Sequence, residues 1–136
     1  MDFLKTMAIA ASGLRAQAGR MRIISENIAS ADSTPAAPGA EPYRRKVPSF
    51  QTEVDRTLDV QLDELGKTRT DNSEFRLKYE PGHPAADKNG NVKYTNVNPL
   101  LEMTDMREAQ RSYEANINVI SATRRMLERT IDILKT

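Results

Sequence analysis

The sequence predicts a mainly α-helical protein, with two long terminal helices that pack in a coiled-coil-like manner and a small β-containing segment between them. Apolar residues recur in heptads over both ends of the 136-residue chain, and every proline except Pro99 lies between the two ends. Only 38% of the residues are hydrophobic, whereas globular domains are usually about 45–50% apolar. We therefore expect a thin monomer core that neighbouring subunits complete.

The N-terminal segment, residues 1–32, shows apolar side chains at alternating steps of three and four, with Gln17 as the one polar interruption. This a/d pattern predicts an amphipathic helix that packs against another helix. Pro35 and Pro38 are expected to end it. The apolar positions of the pattern are Phe3, Met7, Ala10, Leu14, Met21, Ile24 and Ile28.

The C-terminal segment, residues 98–136, begins with a helix start: Asn98 is a favourable N-cap and Pro99 suits the first helical position. No glycine or later proline interrupts it. A helix of about 37 residues would span roughly 55 Å, a length typical of coiled coils and assemblies. Its heptad stripe consists of Met106, Tyr113, Ile120, Leu127 and Leu134, widened by Ile117 and Ile131.

The middle segment, residues 33–97, has a different composition. Residues 75–79 alternate apolar and polar side chains, which predicts a strand. Residues 58–62 alternate similarly, although a short helix is also compatible with them. Asn89-Gly90 predicts a hairpin turn. We expect a loop and a small β-element here.

Composition excludes several classes of protein. Twenty Lys and Arg balance nineteen Asp and Glu, which argues against a nucleic-acid binder with a strongly basic face. There is no cysteine, so disulfides and cysteine-based zinc sites are excluded. No apolar run is long enough to predict a transmembrane helix. Arg15, Arg20 and Arg22 interrupt the N-terminal apolar residues, so no cleavable signal peptide is expected.

Candidate catalytic and metal-binding residues all have a simpler structural interpretation. His83 stands alone in a Pro/Gly loop, and a catalytic base needs a positioned partner. Residues 87–91 suggest a calcium loop, but the glycine that such a loop requires would fall at Val92. Asp63 and Glu64 are adjacent and project in different directions. We therefore predict no enzyme, no cofactor and no metal site.

Two basic features leave a binding module open as an alternative. Arg44-Arg45-Lys46 could contact phosphates or could form a salt-bridging strand edge, and the low net charge favours the strand edge. The N-terminal helix carries three arginines and could lie on an anionic membrane, but its many alanines favour helix packing. A membrane- or nucleic-acid-associated module is thus the less favoured hypothesis.

Several short motifs resemble those of the flagellar rod and hook proteins, and their order and spacing at both chain ends strengthen the match. The segments around Tyr43 and before the C-terminal helix are similar to those of the proximal-rod C type. Another rod or hook-junction protein is the nearest alternative. The motifs are Ser12-Gly13-Leu14, Ala16-Gln17, Arg20-Met21, Ile24, Asn27-Ile28-Ala29, Ser33-Thr34, Pro42-Tyr43-Arg44-Arg45-Lys46, Phe50, Tyr94, Asn96-Val97-Asn98-Pro99, Glu102-Met103 and Arg111-Ser112-Tyr113-Glu114-Ala115-Asn116.

The resemblance implies a structural subunit of the proximal rod, a helical tube in the bacterial flagellar basal body that transmits motor torque to the hook. It implies export through the flagellar type III apparatus, without a cleavable signal, to the rod in the periplasmic space. The implied partners are copies of the chain and other rod proteins, with export-gate or basal-body ring components as further candidates. Neither nucleic acid nor direct membrane insertion is implied.

The same resemblance suggests which residues form the assembly interface. Asn27 and Asn116 match motif positions and are expected to cap or cross-link helices through their amides. The expected interface comprises Met7, Leu14, Met21, Ile24, Asn27 and Ile28 at the N-terminal end and Met106, Tyr113, Asn116, Ile117, Ile120, Leu127, Ile131 and Leu134 at the C-terminal end.

Overall fold

The computed structural model describes residues 2–135 and contains two helices and six short strands. The elements follow in the order α1 (Phe3–Ala29), β1 (Lys46–Val47), β2 (Phe50–Asp55), β3 (Val60–Leu65), β4 (Arg69–Thr70), β5 (Arg76–Tyr79), β6 (Asn91–Tyr94) and α2 (Pro99–Leu134). The expected mainly helical fold with a β-containing middle segment is confirmed.

Each helix begins at a side-chain cap. The Asp2 carboxylate accepts the backbone N–H of Leu4 at 2.9 Å, a cap that the sequence pattern did not identify. The Asn98 side-chain oxygen accepts the N–H of Leu100 at 3.1 Å, as expected for an N-cap before Pro99. The first helix ends at Ala29, and the carbonyl of Ala31 beyond it accepts the Thr95 hydroxyl at 3.2 Å.

The strands form three separate antiparallel pairs, β1 with β4, β2 with β3 and β5 with β6. Strand β3 begins at Val60, so Leu58 lies in the preceding turn. The Asn89-Gly90 turn does not join two adjacent strand ends, because residues 80–90 connect β5 to β6. Gly90 adopts a φ of 82°, and Asp87 bonds both flanking amides, so the turn is local and immediately precedes β6.

Contacts group the described residues into two compact units, each of which takes residues from all three segments of the sequence. The first unit contains residues 2–21, Ser49–Gly66 and residues 107–135, and the second contains Arg22–Pro48 and Lys67–Met106. The first has a small buried set, namely Ala10, Ser12, Gly13, Ala16, Ala109 and Thr123. The second buries Ile23, Ile24, Asn27, Ala31, Ala85, Val92, Thr95, Val97 and Glu102.

Candidate assembly surfaces

In the first unit, α1 and α2 approach closely at Gly13. A Cβ atom on Gly13 would stand 2.7 Å from the side-chain nitrogen of Asn116, so only a residue without a side chain fits the present arrangement. Ala10, Ala16 and Ala109 are buried in the same unit. The buried residues of the two helices in this unit are therefore mostly small, and the larger apolar side chains of the heptads stay half-buried or exposed.

Strand β3 is attached to α1 through Ser12. The Ser12 hydroxyl donates to the carbonyl of Ile9 at 2.7 Å and accepts the backbone N–H of Asp63 at 3.2 Å. On the same side of the unit, Leu65 packs against Gly19, where an added Cβ would stand 2.6 Å from its methyl group. These contacts fix the β2–β3 hairpin to α1 along β3.

The predicted C-terminal seam is half-buried or exposed along α2, and its last residues are the most exposed. Ile120 and Tyr113 are half-buried, whereas Ile117, Leu127 and Ile131 are exposed. Leu134 is 80% exposed. Residues 124–135 are all exposed. The structure thus presents an apolar stripe on the last part of α2 that no residue in the described chain covers.

The predicted N-terminal seam is divided between intermediate and deeply buried positions. Met7, Leu14, Met21 and Ile28 are half-buried. Ile24 is buried in the second unit, as is Asn27. Met106 and Asn116 of the C-terminal set are half-buried as well.

The second unit is organised around the amide of Asn27. Its nitrogen donates to the carbonyl of Lys46 at 2.8 Å and to Glu102 Oε2 at 3.3 Å. Its oxygen accepts the N–H of Lys46 at 3.0 Å and the hydroxyl of Tyr43 at 2.9 Å. One buried side chain thereby links α1 to β1 and to the first turn of α2, and each of its donors and its acceptor has a partner.

The buried carboxylate of Glu102 is the second centre of this network. Only 1% of Glu102 is exposed, and it accepts a hydrogen bond from the Arg45 guanidinium. Arg45 also contacts Asp71 at 3.5 Å and Asp105 at 3.8 Å. A buried carboxylate is tolerated only when it is paired and hydrogen-bonded, so Arg45 and Asn27 make this burial possible.

The basic run at residues 44–46 is engaged in ion pairs within the second unit. Arg44 lies 3.8 Å from Glu41 and stacks over the Phe75 ring at 4.3 Å. The Lys46 ammonium contacts Glu26 at 2.9 Å, and its hydrogen bond lowers the pKa of that carboxyl. With Arg45 also paired, the run is salt-bridged, as the sequence analysis favoured, but only Lys46 lies in a strand, because β1 begins there.

The residues considered for chemistry have local structural roles. His83 accepts the N–H of Ala85 through Nδ1 at 3.0 Å. Asp87 accepts the N–H groups of Asn89 and Asn91 at 2.8 and 2.9 Å. Within residues 2–135, no group of three His, Asp or Glu side chains could hold a metal ion. No helix in that range is long and apolar enough to cross a bilayer.

Sequence reasoning did not identify the Arg45–Glu102 pair or the bond from Tyr43 to Asn27. Arg45 and Glu102 both belong to motifs that resemble those of the rod proteins, but their spacing does not show that two segments 57 residues apart meet. A usable indication was Glu102 itself, because a glutamate in the first turn of a helix suits the helix dipole. Its burial depends on tertiary structure.

Comparison with known proteins places the chain in a family. The family described as "Flagellar basal body rod FlgEFG protein C-terminal" matches residues 88–133. The protein named "Flagellar basal-body rod protein FlgC" from Agrobacterium fabrum is 54% identical over 93% of this chain and 91% of its own length. The proteins of that name from Bacillus subtilis and Salmonella typhimurium are 37% and 35% identical, over 99% and 98% of this chain and 100% and 98% of theirs. The chain therefore belongs to the FlgC family of flagellar basal-body rod proteins.

Proposed function

We propose that this chain is a structural subunit of the proximal rod of the bacterial flagellar basal body and has no enzymatic role. The observation that carries the proposal is the uncovered heptad stripe on α2, in a chain whose relatives are named as rod proteins. The exposed apolar stripe lies on a helix of 36 residues. In an assembly, a neighbouring helix would bury this stripe and so stabilise the helix.

In this role the terminal helices would build a helical tube and carry torque from the motor toward the hook. Torque requires that subunits do not slip, and interdigitated side chains resist shear through many small dispersion contacts. The partners would be copies of the chain and other rod proteins, with export-gate or ring components as further candidates. Its place would be the rod in the periplasmic space, reached by type III export without a cleavable signal.

The proposed interface residues divide by burial into three groups. Ile24 and Asn27 are buried in the chain itself, so they would support the interface from within. Half-buried residues would contribute to both internal packing and the neighbour contact. Those that would mainly contact neighbours are Ile117, Leu127, Ile131 and Leu134.

A binding module for nucleic acid or membrane surfaces is not favoured. Arg44, Arg45 and Lys46 contact carboxylates within the second unit, so their charges are already balanced.

Ile131→Asp tests the proposed assembly at a position where the substitution should leave the fold of the isolated chain intact. Ile131 is 45% exposed, so the isolated chain should keep its helix content. A charge in a seam that neighbours bury has no partner there, so rods should not form and cells should not swim. Ile120→Asp should have the same effect with some loss of stability, because Ile120 is half-buried.

Ala115→Asp is the matched control, because it adds the same charge at an exposed position off the heptad stripe. Cells that carry it should assemble rods and swim. Normal swimming and normal rod assembly in cells with Ile131→Asp alone would contradict the proposed interface. Circular dichroism of each purified variant shows whether the helices are intact.

A further inference from the structure

The two longer hairpins each leave one strand with an open edge. In β2–β3, the N–H of Gly66 donates to the carbonyl of Ser49 at 2.7 Å, and the register pairs Phe50 with Leu65. Hydrogen-bonded and non-hydrogen-bonded pairs alternate in an antiparallel ladder. The N–H and C=O groups of alternate residues of β2 therefore point away from β3. These residues are Phe50, Thr52 and Val54.

The outer edge of β3 supports this assignment. Asp63 lies opposite Thr52, and its N–H points out of the hairpin to bond Ser12. The corresponding outward groups of β2 have no hydrogen-bond partner anywhere in residues 2–135. The edge of β3 is thus attached to α1, and the edge of β2 is open.

The β5–β6 hairpin has the same asymmetry. The N–H of Glu80 donates to the carbonyl of Gly90 at 2.8 Å in the register of the ladder, so Leu77 and Tyr79 point their backbone groups away from β6. In the part of the chain that the structure describes, those groups have no partner either. The side chains of Leu77 and Tyr79 are 63% and 71% exposed.

Open edges of this kind are unfavourable in a monomer. A two-stranded hairpin is marginally stable alone, and an exposed apolar edge is a template for pairing with another strand. On the β2 side, Phe50 and Val54 are also exposed. Both hairpins would therefore be stabilised by a third strand.

We infer that the β2 edge of one copy of this chain pairs antiparallel with the β5 edge of a neighbouring copy. In the best register, Val54 lies opposite Leu77 and Thr52 lies opposite Tyr79, so that outward backbone groups meet. The residues between them then form charge pairs. Glu53 faces Lys78, and Asp55 faces Arg76.

Charge complementarity selects this pairing over others. The charged residues of β2 are acidic and those of β5 are basic, so β2 with β2 or β5 with β5 would oppose like charges. A register shifted by two residues keeps only one of the two charge pairs. Glu53 and Lys78 are both exposed, although Lys78 already contacts Glu80 at 2.8 Å and would share its ammonium.

The partner of each edge is a second copy of this chain, because the two complementary edges are different surfaces of one chain. Such a contact is heterologous, because each copy offers one edge and accepts the other, and heterologous contacts build rings or, where the rotation does not close, helical filaments. Propagation suits a helical tube. The inference rests on the proposed rod function and adds a second interface to the helix seam, formed by main-chain hydrogen bonds.

Disulfide trapping tests the pairing between copies, because the chain has no cysteine of its own. Cells that lack the native chain co-express one chain with Glu53→Cys and another with Lys78→Cys. These positions would form a non-hydrogen-bonded pair with Cα atoms about 4.5 Å apart, within disulfide range. Mild oxidation of isolated basal bodies should then give a dimer on a non-reducing gel.

Each of two control mixtures moves one cysteine from an open edge to the other strand of the same hairpin. Glu64→Cys with Lys78→Cys moves one cysteine to β3, and Glu53→Cys with Lys93→Cys moves the other to β6. Neither should give the dimer, and neither single variant should give it alone. If both variants are present in basal bodies and no dimer forms, the strand pairing is overturned while the rod function stands. If even the unsubstituted chain is absent from basal bodies, the proposed function fails and this inference fails with it.

Charge exchange provides an independent test. Glu53→Lys and Lys78→Glu should each lower the number of complete rods per cell by about two- to tenfold, because like charges then face each other across the strands. The double variant should recover toward the original number. Glu64→Lys and Lys93→Glu should have little effect, and a double variant no better than either single variant would overturn the pairing.

Discussion

The contacts inside one unit differ in kind from the contacts inside the other. In the second unit, buried polar groups meet with defined geometry around Asn27 and Glu102. The first unit relies on close approach at small residues such as Gly13, and its apolar stripe on α2 remains exposed. Each contact type suits a different task.

Directional hydrogen bonds fix one arrangement, because a buried donor or acceptor without its partner costs free energy. Apolar contacts are less selective and can be completed by another chain. The second unit thus takes its structure from its own residues, and under the proposed function the exposed stripe of the first unit is the surface that neighbours would cover. The variants below test this division, beginning with the largest expected effect.

Glu102→Ala should strongly destabilise the second unit. The substitution removes the buried partner of Arg45 and one acceptor of the Asn27 amide. Breaking a buried charge pair from one side typically costs about 3–5 kcal/mol, and we expect a loss near 3 because Arg45 is partly exposed and also contacts Asp71. Urea unfolding of the purified chain measures the change.

Glu108→Ala is the matched control in α2. Its ion pair with Arg20 at 3.5 Å is exposed on the glutamate side, so the loss should stay below about 1 kcal/mol. Equal losses for the Glu102 and Glu108 variants would contradict the view that the buried network holds the second unit.

Gly13→Ala tests the close approach in the first unit through its coupling to Asn116. The new Cβ would stand 2.7 Å from the Asn116 side chain, so steric strain should cancel the helix-propensity gain of about 1 kcal/mol. In an Asn116→Ala background the strain disappears and the gain should be visible. A double-mutant cycle in urea should give a coupling of about 1 kcal/mol, and a value near zero would show that the helices do not meet there.

Gln17→Met should stabilise the first unit slightly. Gln17 Oε1 is buried, and among residues 2–135 it has no hydrogen-bond partner. Removing an unsatisfied acceptor and restoring an apolar heptad position should raise the free energy of unfolding by about 1 kcal/mol. Ala18→Met, at an exposed neighbouring position, controls for the added side chain. A loss of stability in Gln17→Met alone would mean that the amide is required.

These contacts also show how far the sequence could lead. The heptads predicted both helices, and Asn98-Pro99 predicted the start of α2, because these features depend on residues close in sequence. The assembly interface was harder to predict from the sequence. Spacing marked a seam, but it could not show that Ile24 lies inside the chain while Leu134 is exposed, because burial depends on which segments meet.

The middle segment illustrates the same limit. Alternation predicted strand β5, yet the exposed Leu77 and Tyr79 do not cover a core as alternation normally implies. The Arg45–Glu102 pair joins distant segments, and a one-dimensional pattern does not contain that information. The proposed β2–β5 pairing would bring cross-strand neighbours beside Leu77 and Tyr79 and would pair the backbone groups that they now leave open.

The smallest expected effect is the pH dependence of the second unit through Glu26. The hydrogen bond from Lys46, at 2.9 Å, lowers the pKa of the Glu26 carboxyl below the ordinary 4.5. A carboxyl with a lowered pKa in the folded state contributes stability above pH 4.5, and this contribution is lost as the pH falls through the lowered value. The midpoint temperature of thermal unfolding, measured from neutral to acid pH, should therefore fall less steeply for Glu26→Gln than for the unsubstituted chain. Lys46→Met should flatten the same interval, because it removes the partner that lowers the pKa. The change in slope should be modest, because both side chains are substantially exposed to solvent. If both variants show the same slope as the unsubstituted chain, the pair does not contribute to holding β1 against α1.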